Sequence, residues 1–168
     1  MRKSEPIRIL GVDPGSRVTG YGVIDQVGGE LLLVAHGSIR MARDATLPKR
    51  LETIHNELVR VIETNHPAVV AVESPFAGLN ARSLIQLAHA RGVVLLAAQL
   101  AGLPVFEYAP RSVKSAVVGY GGAEKAQVEK MVRLLVRGAA GVKLGPDASD
   151  ALAVAICHAH SARLAALR

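Results

Sequence analysis

Four carboxylates, Asp13, Glu73, Asp147 and Asp150, have the types and spacing to do chemistry. Asp13 closes the β-branched apolar run IRILGVD, and Glu73 closes a second, PAVVAVE. Asp147 and Asp150 lie one helical turn apart in GPDASDALAVAICHAH, where Pro146 is a favoured first-turn residue. If the two strands are neighbours and the helix packs on their sheet, all four carboxylates converge at one edge. Such a cluster repels itself unless divalent cations fill it, and hard oxygen donors suit Mg²⁺ or Mn²⁺. Two cations roughly 3.5–4 Å apart would activate a water and stabilise the leaving oxygen of an in-line displacement. On a basic chain, this points to metal-dependent cleavage of a nucleic-acid backbone.

Each acid also has an ordinary reading. Asp13 before Pro14-Gly15 suits a turn, and Asp147 with Asp150 could cap a helix and complement its dipole. Glu73 decides between the two readings. A carboxylate ending a buried apolar strand caps nothing, and burying it without a partner is costly. The histidines carry less. His158 and His160 diverge on a helix, and His36, His55, His66 and His89 are isolated. No Ser-His-Asp or Cys-His pairing suggests a covalent intermediate. GSRVTGYG and GYGGAEK both miss the spacing of a P-loop, and the first reads as a hairpin whose glycines allow close backbone packing.

The elements that must position these acids follow from periodicity. Runs at 7–13, 18–25 and 31–39 read as an antiparallel meander with turns at Pro14-Gly15 and Gly28-Gly29. Leu47, Leu51, Ile54, Leu58 and Ile62 recur at helical spacing, and Pro67 ends that helix. AVVAVE reads as a strand buried on both faces, and LPVFEYAP as another short buried strand. Helices are expected over about 81–101, over 124–137 and from Pro146 onward. The middle one turns Val128, Met131, Val132 and Leu135 inward and Lys130, Arg133 and Arg137 outward. The result is an α/β protein: a mixed five-stranded sheet, three antiparallel strands then two parallel, with helices on both faces.

With 168 residues, half of them hydrophobic and a fifth charged, the chain reads as one globular domain over 1–168, residues 1–6 forming a short extension. A lone Cys157 excludes a disulfide framework and a thiolate zinc site. No signal-peptide pattern opens the chain, so a cytoplasmic location is expected. The most apolar stretch, residues 92–102, is short for a bilayer and reads as a buried helix. Net charge is +6, and its distribution is uneven. Residues 109–143 hold seven bases, Arg111, Lys114, Lys125, Lys130, Arg133, Arg137 and Lys143, against Glu124 and Glu129, a balance of +5. As a block this reads as a phosphate track beside the acidic helix.

Five ordered segments, GVDPGSRVTGYGVID, AVESPFAGLN, QLAHARGVVL, YAPRSVKSAVVGYGGAEKAQV and DASDALAVAICHAH, resemble the RuvC family of bacterial Holliday-junction resolvases. The resemblance runs from about Ile7 to His160. It implies an RNase H-like fold and a homodimer using Mg²⁺ or Mn²⁺, two ions per active site. It further implies paired nicks in like-polarity strands of a four-way DNA junction, in recombination and repair, with 5′-phosphate products. Asp13, Glu73, Asp147 and Asp150 take the positions of the metal-binding acids. Phe76 takes that of the aromatic that stacks at the crossover, and Lys114 and Lys125 match bases near the cleaved strand. Asn80 and Arg111, in the same segments, are expected to contact DNA. Helix 81–101 would be the dimer surface, and a branch-migration motor would be a partner. Ser74-Pro75 after the acid is stiffer than the family's usual pair. The family sometimes carries His where Asp147 stands, so this site is more anionic. Three other readings stay open: an RNA-processing RNase H-like nuclease, an actin- or sugar-kinase-like ATPase, for which the chain is short of a second domain, and a junction-binding module without catalysis.

Overall fold

The structure is a computed structural model and describes residues 5–75 and 80–166. In chain order the elements are β1 (Ile7–Asp13), β2 (Val18–Val27), β3 (Glu30–Arg40), α1 (Leu47–Asn65), β4 (Val69–Glu73) and α2 (Ala81–Leu100). Then come β5 (Val105–Tyr108), α3 (Pro110–Val118), α4 (Lys125–Leu135), β6 (Val136–Arg137) and α5 (Pro146–Ala166). The strands form one sheet in the order β5-β4-β1-β2-β3-β6. β1, β2 and β3 are an antiparallel meander, while β4 runs parallel to β1, β5 to β4 and β6 to β3.

Two apolar cores sandwich this sheet. On one face Leu10, Val12, Val23, Val70 and Val72 pack against Ile54 and Leu58 of α1 and Ala90, Val94 and Ala97 of α2. On the other, Ile9, Ile24, Val69 and Ala71 meet Val113 of α3, Val128 and Val132 of α4, and Leu152 and Ile156 of α5. Alternate residues of β1 and β4 thus feed opposite cores, so both strands read as continuous apolar runs rather than alternating ones. At roughly 25 cal/mol per Å² of apolar surface, each fully buried Leu or Ile here contributes about 1.5–3 kcal/mol.

Three expectations need correction. The sheet has six strands, not five: the pattern expected to stay helical to residue 137 ends at Leu135, and Val136–Arg137 pairs with Leu31 and Leu32. Gly138, at φ 95°, turns the chain away afterwards. β5 is not buried. It is an edge strand, and Phe106 is 47% exposed. Nor is α2 a buried helix. Only Ala90, Val94, Ala97 and Ala98 are covered, and Leu84, Ile85, Leu96 and Leu100 are exposed. Its 20 residues and mean hydropathy of 1.3 meet the length and composition of a membrane span, yet its small-residue stripe packs on this core.

The basic helix also differs from expectation. Arg137 lies in β6 beside Glu30 at 3.8 Å, not on α4. The Arg133 guanidinium donates to Glu129 and to the carbonyls of Ala139 and Val142, so it ties down the loop after β6. Lys130 remains an exposed base on α4.

Candidate active site

Parallel pairing of β1 with β4 brings their C-terminal ends to the same sheet edge, with Val12 level with Val72. Asp13 and Glu73, each one residue further on, are therefore neighbours, as crevices at carboxyl strand ends require. Helix α5 starts at this edge, and its approach depends on glycine. A Cβ on Gly20 would stand 2.0 Å from the carbonyl oxygen of Asp147, and one on Gly11 would stand 2.1 Å from that of Ala151. A Cβ on Gly22 would be 2.6 Å from the Leu152 side chain. The bare backbones of β1 and β2 let α5 sink onto the sheet, which places Asp147 and Asp150 at the edge with the strand acids. The segment GSRVTGYG is thus a close-packing hairpin and not a phosphate loop.

A cavity of about 200 Å³ opens here, lined by Asp13, Glu73, Lys114, Lys125 and Asp150 over an apolar floor of Val113, Val128 and Ala153. Lys125, at the start of α4, donates to Asp150 Oδ2 at 3.0 Å. A second opening beside Asp13 and Glu73 is lined by Ser74, Pro75 and Leu87. Ser74 N–H donates to the Tyr108 carbonyl at 2.9 Å, which anchors the chain just past Glu73. Asp147 lies outside the 200 Å³ cavity, 3.7 Å from the Arg40 guanidinium at the end of β3. Arg40 was missed by sequence reasoning, since no local pattern puts the end of β3 beside the start of α5.

The electrostatics are those of uncompensated negative charge. Asp13 is pushed from its ordinary 3.8 up to about 8, first by burial, then by the charges of Glu73 and Asp150, with Lys125 opposing and Asp147 adding a smaller push. Glu73 is also raised, first by burial and then by Asp150, while its hydrogen bond to Asp13 and the lysines 125 and 114 pull the other way. One proton shared between Asp13 and Glu73 is the consequence. Lys125 is held charged, chiefly by its bond to Asp150.

A divalent cation fits this donor set. Every candidate ligand is a carboxylate oxygen, and a 2+ ion would replace the shared proton as the partner of Asp13 and Glu73. Among the described residues no three His, Cys, Asp or Glu side chains are gathered tightly enough to hold an ion as they stand. Lys125 engages Asp150 and Arg40 engages Asp147, so side-chain rotation at α5 would complete the set.

The remaining expected residues separate. Lys114 lines the acid cavity and, with Arg111, Pro110, Gly121 and Gly122, a second cavity beside it. Asn80 caps α2, its Oδ1 accepting from Ser83 N–H at 2.9 Å, so its side chain has a structural task. Phe76 lies outside the described residues. His158 is buried, its Nδ1 2.8 Å from the Tyr108 hydroxyl and its ring against Phe106, away from the acids. His160 Nδ1 is 3.0 Å from the Ala116 carbonyl.

The profile of the family described as crossover junction endodeoxyribonuclease RuvC matches residues 9–158. A protein of that description from Syntrophotalea carbinolica is 54% identical over 92% of this chain and 94% of its own. One from a Geobacter species is 50% identical over 95% of this chain and 96% of its own. The solved structure described as Thermus thermophilus RuvC in complex with Holliday junction substrate superposes with a TM-score of 0.86 at 32% identity, covering 95% of this chain and 96% of that one. The yeast mitochondrial Holliday junction resolvase Ydc2 shares the fold alone, at a TM-score of 0.68 and 15% identity. The sheet, the helices on both its faces and the length of the match agree: the chain belongs to the RuvC family of crossover junction endodeoxyribonucleases.

Proposed function

We propose that this chain resolves four-way DNA junctions, and that the carboxylate cavity at the shared ends of β1, β4 and α5 is where the strand is cut. The observation that carries this reading is the pairing of Asp13 with Glu73, two half-buried acids that desolvation and the neighbouring carboxylates leave short of countercharge. The family is one of divalent-metal-dependent nucleases. Asp13, Glu73 and Asp150 would hold the ion, with Asp147 joining once Arg40 releases it, and two Mg²⁺ or Mn²⁺ ions per site is our reading. When bound, the ion supplies Lewis-acid polarisation of the phosphate and lowers the pKa of the attacking water.

The chain's own groups do the rest. Asp13 and Glu73 lose their shared proton on loading and stay ionised through the reaction. Lys125 and Lys114, on the cavity wall opposite the strand ends, face a phosphate seated over the acids and offset the charge that grows on its oxygens. Arg111, exposed on the first turn of α3, extends that positive wall outward along the bound strand. The apolar floor of Val113, Val128 and Ala153 backs the acids from beneath, while Lys125 reaches them from the solvent side.

Paired nicks in a two-fold junction need two such sites, so we read the protein as a homodimer. The uncovered Leu84, Ile85 and Leu96 of α2 support that helix as the shared surface. Phe76 comes next in the sequence after Pro75, which lines the opening beside Asp13 and Glu73, and is our candidate for stacking on an unpaired base. A branch-migration motor as partner and a location wherever the cell keeps its DNA complete the reading. The test is a set of single variants, Asp13→Asn, Glu73→Gln, Asp147→Asn and Asp150→Asn, assayed on a labelled junction. Each is expected to bind the junction and lose cutting by at least about 100-fold; a variant that cuts normally removes its residue from the site.

A further inference from the structure

Four arginines, Arg17, Arg40, Arg43 and Arg50, line a groove of about 370 Å³ with Val18, Met41 and Ala42, on the side of the acids away from α3. They come from the β1–β2 turn, the end of β3, the loop after it and α1, so no single stretch of sequence groups them. The fold gathers them by fixed contacts. Val18 is level with Arg40 in the β2–β3 ladder, and Met41 N–H donates to the Arg17 carbonyl at 3.1 Å, tying the turn to the strand end. Arg50 Nε donates to the Ala45 carbonyl at 2.9 Å, which closes the loop carrying Arg43 back onto α1. Arg17 and Arg43 are exposed and enter none of the structure's ion pairs among the described residues. Arg40 belongs to both places, lining the groove and standing 3.7 Å from Asp147.

The sheet order sets where this groove lies relative to the cut. From β5 through β4, β1 and β2 to β3, the edge presents Arg111 and Lys114 just past β5, then Glu73, then Asp13, then Arg40 and its neighbours. Positive charge flanks the acids on both sides. Strands lie roughly 4.8 Å apart, so the end of β3 is about 10 Å from Asp13 and about 14 Å from Glu73. A nucleic-acid strand advances about 3.4 Å per phosphate along the helix axis while also winding around it, so that span covers about two to four nucleotides.

We propose that this arginine groove is a second phosphate-binding site for the DNA being cut, gripping the cleaved strand's backbone about two to four nucleotides from the nick, opposite the Lys114–Arg111 side. The inference rests on the junction-cutting reading above. Its ligand is a phosphodiester backbone, since arginine forks match phosphate oxygens and four converging guanidiniums suit a chain of them. Two anchors flanking the acids fix the strand in register, so the groove serves positioning and affinity rather than bond cleavage.

The experiment measures junction binding in EDTA against salt concentration for the full chain, for Arg17→Ala/Arg43→Ala and for Arg17→Lys/Arg43→Lys. Arg40 and Arg50 stay intact because both also hold protein groups. The alanine pair is expected to lower the log–log salt slope by about 2 per protomer, about 4 for a dimer on one junction, and to weaken binding at least about 10–100-fold at low salt. The lysine pair is expected to keep most of both. Junctions with neutral methylphosphonates about two to four positions from the nick site should bind the unaltered chain correspondingly worse, and should lose nothing further with the alanine pair. If the unaltered chain binds junctions while the alanine pair keeps its slope and affinity, the groove is an ordinary charged surface and the inference falls alone. Equal losses from methylphosphonates at every position would also overturn it. Failure of the unaltered chain to bind junctions would sink the underlying reading, and the groove with it.

Discussion

Replacing Asp13 with asparagine should make the ion-free protein more stable while destroying its activity. The sign follows from the direction of the shift. Asp13 is held at about 8 in the folded chain against 3.8 ordinarily, so between those values the folded state keeps a proton that the unfolded state has released. Stability is then greatest in acid and falls as pH rises toward about 8. At pH 7 the unfolded chain is roughly three pH units past its pKa, and each unit is worth 1.36 kcal/mol, which bounds the penalty near 4 kcal/mol. Glu73 shares the proton, and an asparagine amide can still donate to it, so a gain of about 2–4 kcal/mol is expected for Asp13→Asn. For a chain of this size that is about 5–15 °C in melting temperature. The assay is thermal unfolding in EDTA from pH 5 to pH 8, with and without added Mg²⁺ or Mn²⁺. The unaltered protein should lose stability across that range and regain it on adding the ion, whereas Asp13→Asn should be flatter in pH and respond less. An Asp13→Asn protein melting below the unaltered one in EDTA at pH 8 would refute the reasoning, because it would make the carboxylate a structural partner instead of a strained ligand.

Three further perturbations separate parts of the account. Gly20→Ala puts a methyl group 2.0 Å from the Asp147 carbonyl oxygen, so α5 must shift; a loss of about 3 kcal/mol and of most cutting is expected, and a normally stable, active protein would contradict the packing argument. Lys125→Ala removes the cation 3.0 Å from Asp150 and opposite the phosphate, with an expected fall in nicking rate of about 100-fold at saturating metal and little change in melting temperature; an unchanged rate would exclude Lys125 from the chemistry. Asp147→His removes a carboxylate ligand and lowers the negative charge of the site, so the metal concentration for half-maximal nicking should shift upward; an identical titration would show that Asp147 does not set the metal demand.

What the sequence displayed and what it hid follow one rule. Glu73 was legible because it ends a run buried on both faces, where an acid caps nothing, and Asp13 because it closes a second such apolar run. Asp147 and Asp150 were legible because Pro146 marks the helix start and three positions is one turn. The meander was legible from its turns. Features set by the partner across space were not. The two-residue β6 completes an apolar helical period with Val136, so only its pairing with β3 distinguishes it from helix. β5 carries the apolar residues of a buried strand, but no strand flanks its outer side. Arg133 reads as outward by periodicity, yet its long side chain turns back to two loop carbonyls. Arg40 and the groove beside it depend on the end of β3 and the start of α5 sharing a sheet edge, a relation that no stretch of sequence contains.

The most direct test of the central claim is to incubate the purified protein with an end-labelled four-way DNA junction, in Mg²⁺ or Mn²⁺ and in EDTA, beside a linear duplex and an RNA–DNA hybrid. Paired, symmetric nicks that appear on the junction alone and vanish in EDTA are the expected result. Cutting of the hybrid instead, or binding of the junction with no metal-dependent cut, would contradict it.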